Sequence, residues 1–126
     1  MKTVLVTGGF DPIHKGHIEY LKYAKELGDK LIVGLNSDHW LTRKKGQPFM
    51  DLENRAMVIQ SLNMVDEVII FNDEDNTANH AIHQVLQHHD NVIFANGGDR
   101  IKSFVPEYEK YKDCLLYTSD AADDDV

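Results

Sequence analysis

From Thr3 to Gly97 short apolar runs alternate with segments of helical period, and no other feature restricts the possible folds as strongly. Thr3 to Thr7 is a β-branched run closed by Gly8 and Gly9, the pattern of a strand buried on both faces. Ile18, Leu21, Ala24 and Leu27 then recur at helical spacing. They predict a helix from about His17 to Leu27, with Gly28 as its left-handed stop. Lys30 to Leu35 reads as a second strand, and Ser37 or Asp38 can cap a short helix leading into the basic loop Arg43-Lys44-Lys45-Gly46. Asp51 caps a third helix, through about Asn63, whose Leu52, Ala56, Ile59 and Leu62 share a face. Val68 to Phe71, a helix carrying Ala78, Ala81, Ile82, Val85 and Leu86, and Val92 to Ala95 complete the series. Strict alternation with apolar strands predicts right-handed crossovers and a single α/β domain built on a doubly wound parallel sheet. Ligands of such a sheet sit at the carboxyl ends of its strands.

Composition narrows the class of partner. The 126 residues suit one domain, and 42% hydrophobic with 27% charged residues is ordinary globular usage. A net charge of -8 argues against nucleic acid, whose binding draws on Lys and Arg. No apolar run approaches the roughly 20 residues of a membrane span, so no membrane partner is expected. The single cysteine, Cys114, cannot form an internal disulfide and suits a reducing, cytoplasmic setting.

Cys114 to Asp124 resembles, codon for codon, a translated transposon-end sequencing adapter. The expected division is therefore a domain over residues 1-113, C-terminally truncated, and a non-native tail over 114-126. Without the four aspartates Asp120, Asp123, Asp124 and Asp125, the net charge of -8 becomes -4.

The suspicious loops all follow strand ends. In Gly8-Gly9-Phe10-Asp11-Pro12-Ile13-His14-Lys15-Gly16-His17, two glycines let a polyphosphate approach the backbone, and a helix start near Gly16 offers N–H groups to an anion. His14 and His17, three apart across a glycine, can converge on one phosphoryl group as donors. Zinc is disfavoured, because no cysteine or third histidine lies nearby in sequence. Asp38 reads as a helix cap, Asp73-Glu74-Asp75 as a solvated turn, and His80, His83, His88 and His89 as solvated side chains.

Gly8-x-Phe10-Asp11-x-x-His14-x-Gly16-His17 resembles the signature of the nucleotidylyltransferase superfamily. The likeness continues through Ala24-Lys25-x-Leu27-Gly28-Asp29, Asn36-Ser37-Asp38, Glu53-Asn54-Arg55 and Val65-Asp66-Glu67-Val68, matching the glycerol-3-phosphate cytidylyltransferase branch without a gap to about residue 70. Lys45-Gly46 with Pro48, and Gly97-Gly98-Asp99, look more like the heptose-1-phosphate adenylyltransferase branch.

The resemblance implies a Rossmann-like fold and in-line transfer of a nucleoside monophosphate, with CMP favoured over AMP; the alternatives are ATP-dependent adenylyl transfer to a heptose-like sugar phosphate and a nucleotide-binding module without turnover. The donor is CTP or ATP with Mg2+, the acceptor a small phosphorylated sugar, polyol or alcohol, and pyrophosphate leaves. It implies His14, His17 and Lys44 or Lys45 as catalytic residues. It implies Thr7, Gly8, Gly9, Phe10, Asp11, Gly16, Arg55, Gly97, Gly98 and Asp99 around the nucleotide, Asp11 near the metal, and a homodimer. The family's Ser/Thr-rich turn after the last strand has no counterpart except Tyr117-Thr118-Ser119 in the tail.

Overall fold

The computed structural model describes residues 1–97 and 116–121. β1 (Lys2–Gly8), β2 (Lys30–Leu35), β3 (Glu67–Ile70), β4 (Asn91–Gly97) and β5 (Leu116–Ala121) form one parallel sheet in the order β3-β2-β1-β4-β5. This is the Rossmann-like, doubly wound α/β arrangement, and its order reverses beside β1, where such sheets bind ligands. α1 (Lys15–Glu26), α2 (Asp38–Lys45), α3 (Leu52–Gln60) and α4 (Asn79–Leu86) connect the strands.

Alternation along the strands divides the core in two. Val4 and Val6 face the α1 and α3 side with Leu21, Ala24 and Ile59, and Leu52, Ala56 and Leu62 pack on that cluster. Leu5 points the other way, to Ala81, Ile82 and Val85 of α4 with Ile32 and Phe94. Each fully buried Leu or Val contributes about 1.5–3 kcal/mol relative to exposure, which explains why the apolar runs locate the strands so closely.

Three local expectations need correction. Gly28 is not in the left-handed region; an added Cβ would lie 2.9 Å from the Lys2 carbonyl, so close approach to β1 is what requires glycine there. Arg43, Lys44 and Lys45 form the last turn of α2 rather than a loop, and the stop is Gly46 at φ 97. Ser37, not Asp38, is the cap of α2, accepting from the Trp40 N–H at 3.0 Å.

β5 falls within the segment that reads as an adapter. It pairs with β4 from Ile93↔Leu116 to Gly97↔Ala121, with a shift between Ala95 and Gly97, and so covers an edge whose N–H and C=O groups would otherwise be unpaired.

Candidate active site

β1 delivers its glycines to the rim beside α2. An added Cβ on Gly9 would lie 2.9 Å from Leu41 Cδ2, so the tight loop depends on glycine at that point. Thr7 is half-buried at the end of β1, in register with Gly34 of β2. Phe10 takes φ 51 and is 5% exposed, which places its ring in the core. That ring meets His17 edge-on at 5.0 Å between centroids and so supports the histidine from below.

The two histidines close the start of α1 on themselves. His14 is the cap: its Nδ1 accepts from the Gly16 N–H at 3.0 Å, while the His14 N–H donates to His17 Nδ1 at 3.2 Å. The rings stack at 3.8 Å, 25° apart. Gly16, expected to offer its N–H to an anion, therefore already spends it on His14. An Nδ1 that accepts carries no proton, so each neutral ring bears its proton on Nε2. Among the described residues no hydrogen bond engages either Nε2, so the neutral pair holds two uncommitted N–H donors.

Burial, and then the neighbouring His14 charge, lower His17 from 6.5 to about 4. Between those values the unfolded chain binds more protons at this site than the folded one, so folding stability falls as pH drops through that window. His17→Asn, which cannot titrate, should flatten this slope. Urea midpoints at pH 7 and pH 4.5 for parent and variant provide the check, and parallel acid losses in the two would remove His17 as the cause.

Asp11 organises the next layer. Its carboxylate is 1% exposed and accepts from the Phe49 and Met50 N–H groups at 2.6 Å each. Lys45 Nζ lies 2.9 Å from Oδ2 and donates to the Asp11 carbonyl at 2.6 Å. Burial alone would raise the carboxyl, but the Lys45 ammonium and the two amides outweigh it and hold it below the ordinary range. Asp11 thus ties the Gly46 to Met50 strap and the end of α2 to the glycine loop. Its oxygens are largely committed, and among the described residues no three His, Cys, Asp or Glu side chains gather as a metal site. Lys44 instead lies 4.7 Å over the Trp40 ring.

Arg55, expected at the nucleotide, is 1% exposed. It donates to the carbonyls of Met50 (3.0 Å), Gly9 (3.1 Å) and Asn36 (2.7 Å), and to Asp38 Oδ1 (2.7 Å). It is a buried hub joining the glycine loop, β2, α2 and the strap, and Asp38 is its counter-ion. Asp73, expected in a solvated turn, is 3% exposed and accepts from Asn36 and Ser37. No sequence signal marks this role, because its partners lie 36 and 37 positions away. Gly97 ends β4 at the same rim, whereas Gly98 and Asp99 lie outside the described residues.

The sequence profile described as Cytidylyltransferase-like matches residues 5–123. The bifunctional protein HldE of Campylobacter concisus (strain 13826) is 49% identical over 80 residues, 62% of this chain and 17% of that protein. HldE of Haemophilus influenzae (strain PittGG) is 41% identical over 100 residues, 78% of this chain and 20% of its own length. The chain thus spans at most a fifth of these curated relatives. The crystal structure of the lipopolysaccharide core biosynthesis protein from Thermoplasma volcanium GSS1 superposes with a TM-score of 0.72 at 29% identity, covering 95% of this chain and 98% of that one.

Proposed function

Because this chain belongs to the cytidylyltransferase-like family, we propose that it carries a nucleotidylyltransferase site that joins a nucleoside monophosphate to a small phosphorylated sugar. The observation that carries the proposal is the stacked His14 and His17 pair, whose Nδ1 atoms are fixed by backbone amides and whose Nε2 atoms take no hydrogen bond among the described residues. An oxygen of the acceptor phosphate attacks the α-phosphorus, the bond to the bridging oxygen breaks, and pyrophosphate leaves with the electron pair. The protein's part is to position the groups and offset the charge that builds on the phosphoryl oxygens. With His17 held near 4, it donates as a neutral imidazole at pH 7.

Magnesium, which the family resemblance implies, would supply counter-charge to the phosphates of the bound triphosphate. Asp11 does not fit as its holder, since its buried oxygens already serve the strap and Lys45, and no step is assigned to a protein-held metal. The ungapped likeness up to residue 70 favours CTP. The HldE relatives and the lipopolysaccharide core protein support the other branch, so the reading is ATP-dependent adenylyl transfer to a heptose-like sugar phosphate. A homodimer belongs to the proposal, and on the α3 and β3 side Met57, Val58 and Ile70 stand 62%, 36% and 48% exposed, which supports it. No helix among the described residues is long and apolar enough to cross a membrane; a cytoplasmic location is proposed with the activity.

The test is phosphate release, coupled through inorganic pyrophosphatase, from ATP or CTP with a panel of phosphorylated acceptors. The expected result is release with ATP and an aldose phosphate at tenfold or more the rate with CTP. Equal or greater release with CTP would return the preference to the cytidylyl branch, and no release with any pair would count against transfer by this chain.

The surroundings of the two lysines support different roles. Lys45 reaches the glycine loop, whereas Lys44 lies on the only tryptophan. Lys45→Ala should weaken triphosphate binding about tenfold, and Lys44→Ala less than twofold while changing Trp40 emission. Fluorescence titration decides it; the reverse order would assign the phosphates to Lys44.

A further inference from the structure

Among the described residues Phe10 and Asn76 are the two non-glycine residues with positive φ, at 51 and 62. Asparagine enters the left-handed region readily, whereas a bulky aromatic persists there only where its surroundings fix it. The chain on either side of Phe10 is fixed. The Gly9 carbonyl before it accepts from Arg55 Nη1 at 3.1 Å, and the Asp11 carbonyl after it accepts from Lys45 Nζ at 2.6 Å. The Asp11 carboxylate adds the Phe49 and Met50 N–H groups, so the backbone around Phe10 is clamped from α2, α3 and the strap.

The ring shows what this conformation serves. It lies in the core cluster with Tyr20, Leu21 and Leu35. A Cβ on Gly8 would meet it at 3.1 Å, so glycine at that position makes room for the ring. Its centre stands 5.0 Å from that of His17, with the planes 68° apart. The hydrogen bond from the His14 N–H fixes only one atom of His17, Nδ1. The χ2 torsion of a histidine is broad, so a ring held at one atom keeps freedom to tilt. The His14 ring, stacked at 25°, and the edge-on Phe10 ring, at 68°, together take that freedom away.

We propose that Phe10 is a positioning residue for the transfer: clamped in the left-handed conformation, it sets the plane of the His17 ring and with it the direction of the Nε2–H. The proposal rests on the transfer reading above. It gives Gly8, Asp11 and Arg55 a shared part, which is to hold the Phe10 ring where His17 needs it.

The test is Phe10→Leu in the full chain, which keeps an apolar side chain and removes the ring. Burial is the main cause that lowers His17 to about 4, and the charge of the facing His14 is the second. Opening the side that Phe10 covers should therefore raise the His17 midpoint, followed by NMR of its ring protons, by a unit or more toward 6.5. In a chain that turns over, kcat should fall at least tenfold with triphosphate Kd within threefold. The same substitution in a His17→Ala background should change kcat less than twofold, because its effect passes through His17. Gly8→Ala, whose methyl meets the ring, should shift the His17 ring-proton resonances and lower kcat at least threefold. A folded Phe10→Leu with the parent's His17 titration and kcat, or an equal loss of kcat with and without His17, would overturn the proposal. Should that variant not fold, Gly8→Ala with parental resonances and kcat would overturn it. A parent chain that releases no pyrophosphate from ATP or CTP, while its His17 midpoint still responds to Phe10→Leu, would instead defeat the transfer reading and leave the hold of Phe10 on His17 in place.

Discussion

His17→Ala is expected to lower turnover about 100- to 1000-fold while changing triphosphate affinity only a few-fold. The reasoning starts from the ring's attachments: Nδ1 is held by the His14 N–H, and the ring lies against Phe10, so the remaining Nε2–H is fixed in direction before any ligand arrives. A preorganised donor aimed at developing charge is worth roughly 3–4 kcal/mol of barrier, and little of that is realised in the ground state. The measurement is kcat and triphosphate Kd for parent and variant in a chain that turns over. Near-normal kcat would remove His17 from the chemistry. An equal loss in kcat/KM and in triphosphate affinity, with kcat kept, would make it a ground-state ligand. Because His17 also accepts at the start of α1, a urea titration accompanies the kinetics, so that a folding defect is not mistaken for a catalytic one.

β1, β2 and β4 were legible because each is an apolar run buried on both faces, and burial energy ties those residues to the core wherever the loops go; β3, at an edge with Ile70 48% exposed, is legible from its run of Val68, Ile69 and Ile70 alone. Lys30 to Leu35 matches β2 end to end. Capping side chains were legible where they act locally, as Asp51 does on the Asn54 N–H. What stayed hidden has another cause. Arg55 and Asp73 are polar in sequence and buried in structure because donors and acceptors from distant segments meet there, and no local pattern encodes those meetings. The histidine spacing located the site but not its wiring: that His14 caps the helix, and so consumes the Gly16 N–H, depends on a rotamer and not on a period. For the same reason the lysines could not be separated: successive helix residues point about 100° apart, and which of them meets the glycine loop depends on where that loop comes to lie.

Arg55 gives the clearest choice between a role implied by resemblance and one implied by position. Arg55→Ala would leave the carbonyls of Gly9, Asn36 and Met50 without this donor, empty a side-chain volume in a closed interior, and strand Asp38. Each buried acceptor left unpaired costs about 1–3 kcal/mol. Asp38 is 41% exposed and adds little, so the loss comes from the carbonyls and the cavity. The expected destabilisation is about 3–5 kcal/mol, a large share of the roughly 5–15 kcal/mol that holds a domain folded. Arg55→Lys should recover less than half, because one ammonium cannot span three carbonyls that a planar fork reaches in different directions. Urea melts of the two variants beside the parent measure this, and triphosphate titration of whichever remains folded separates the alternatives. Loss of stability with affinity kept in the folded fraction is the hub. A variant as stable as the parent that has lost its triphosphate affinity would put Arg55 back on the nucleotide, and would require the guanidinium to leave those carbonyls when the ligand binds.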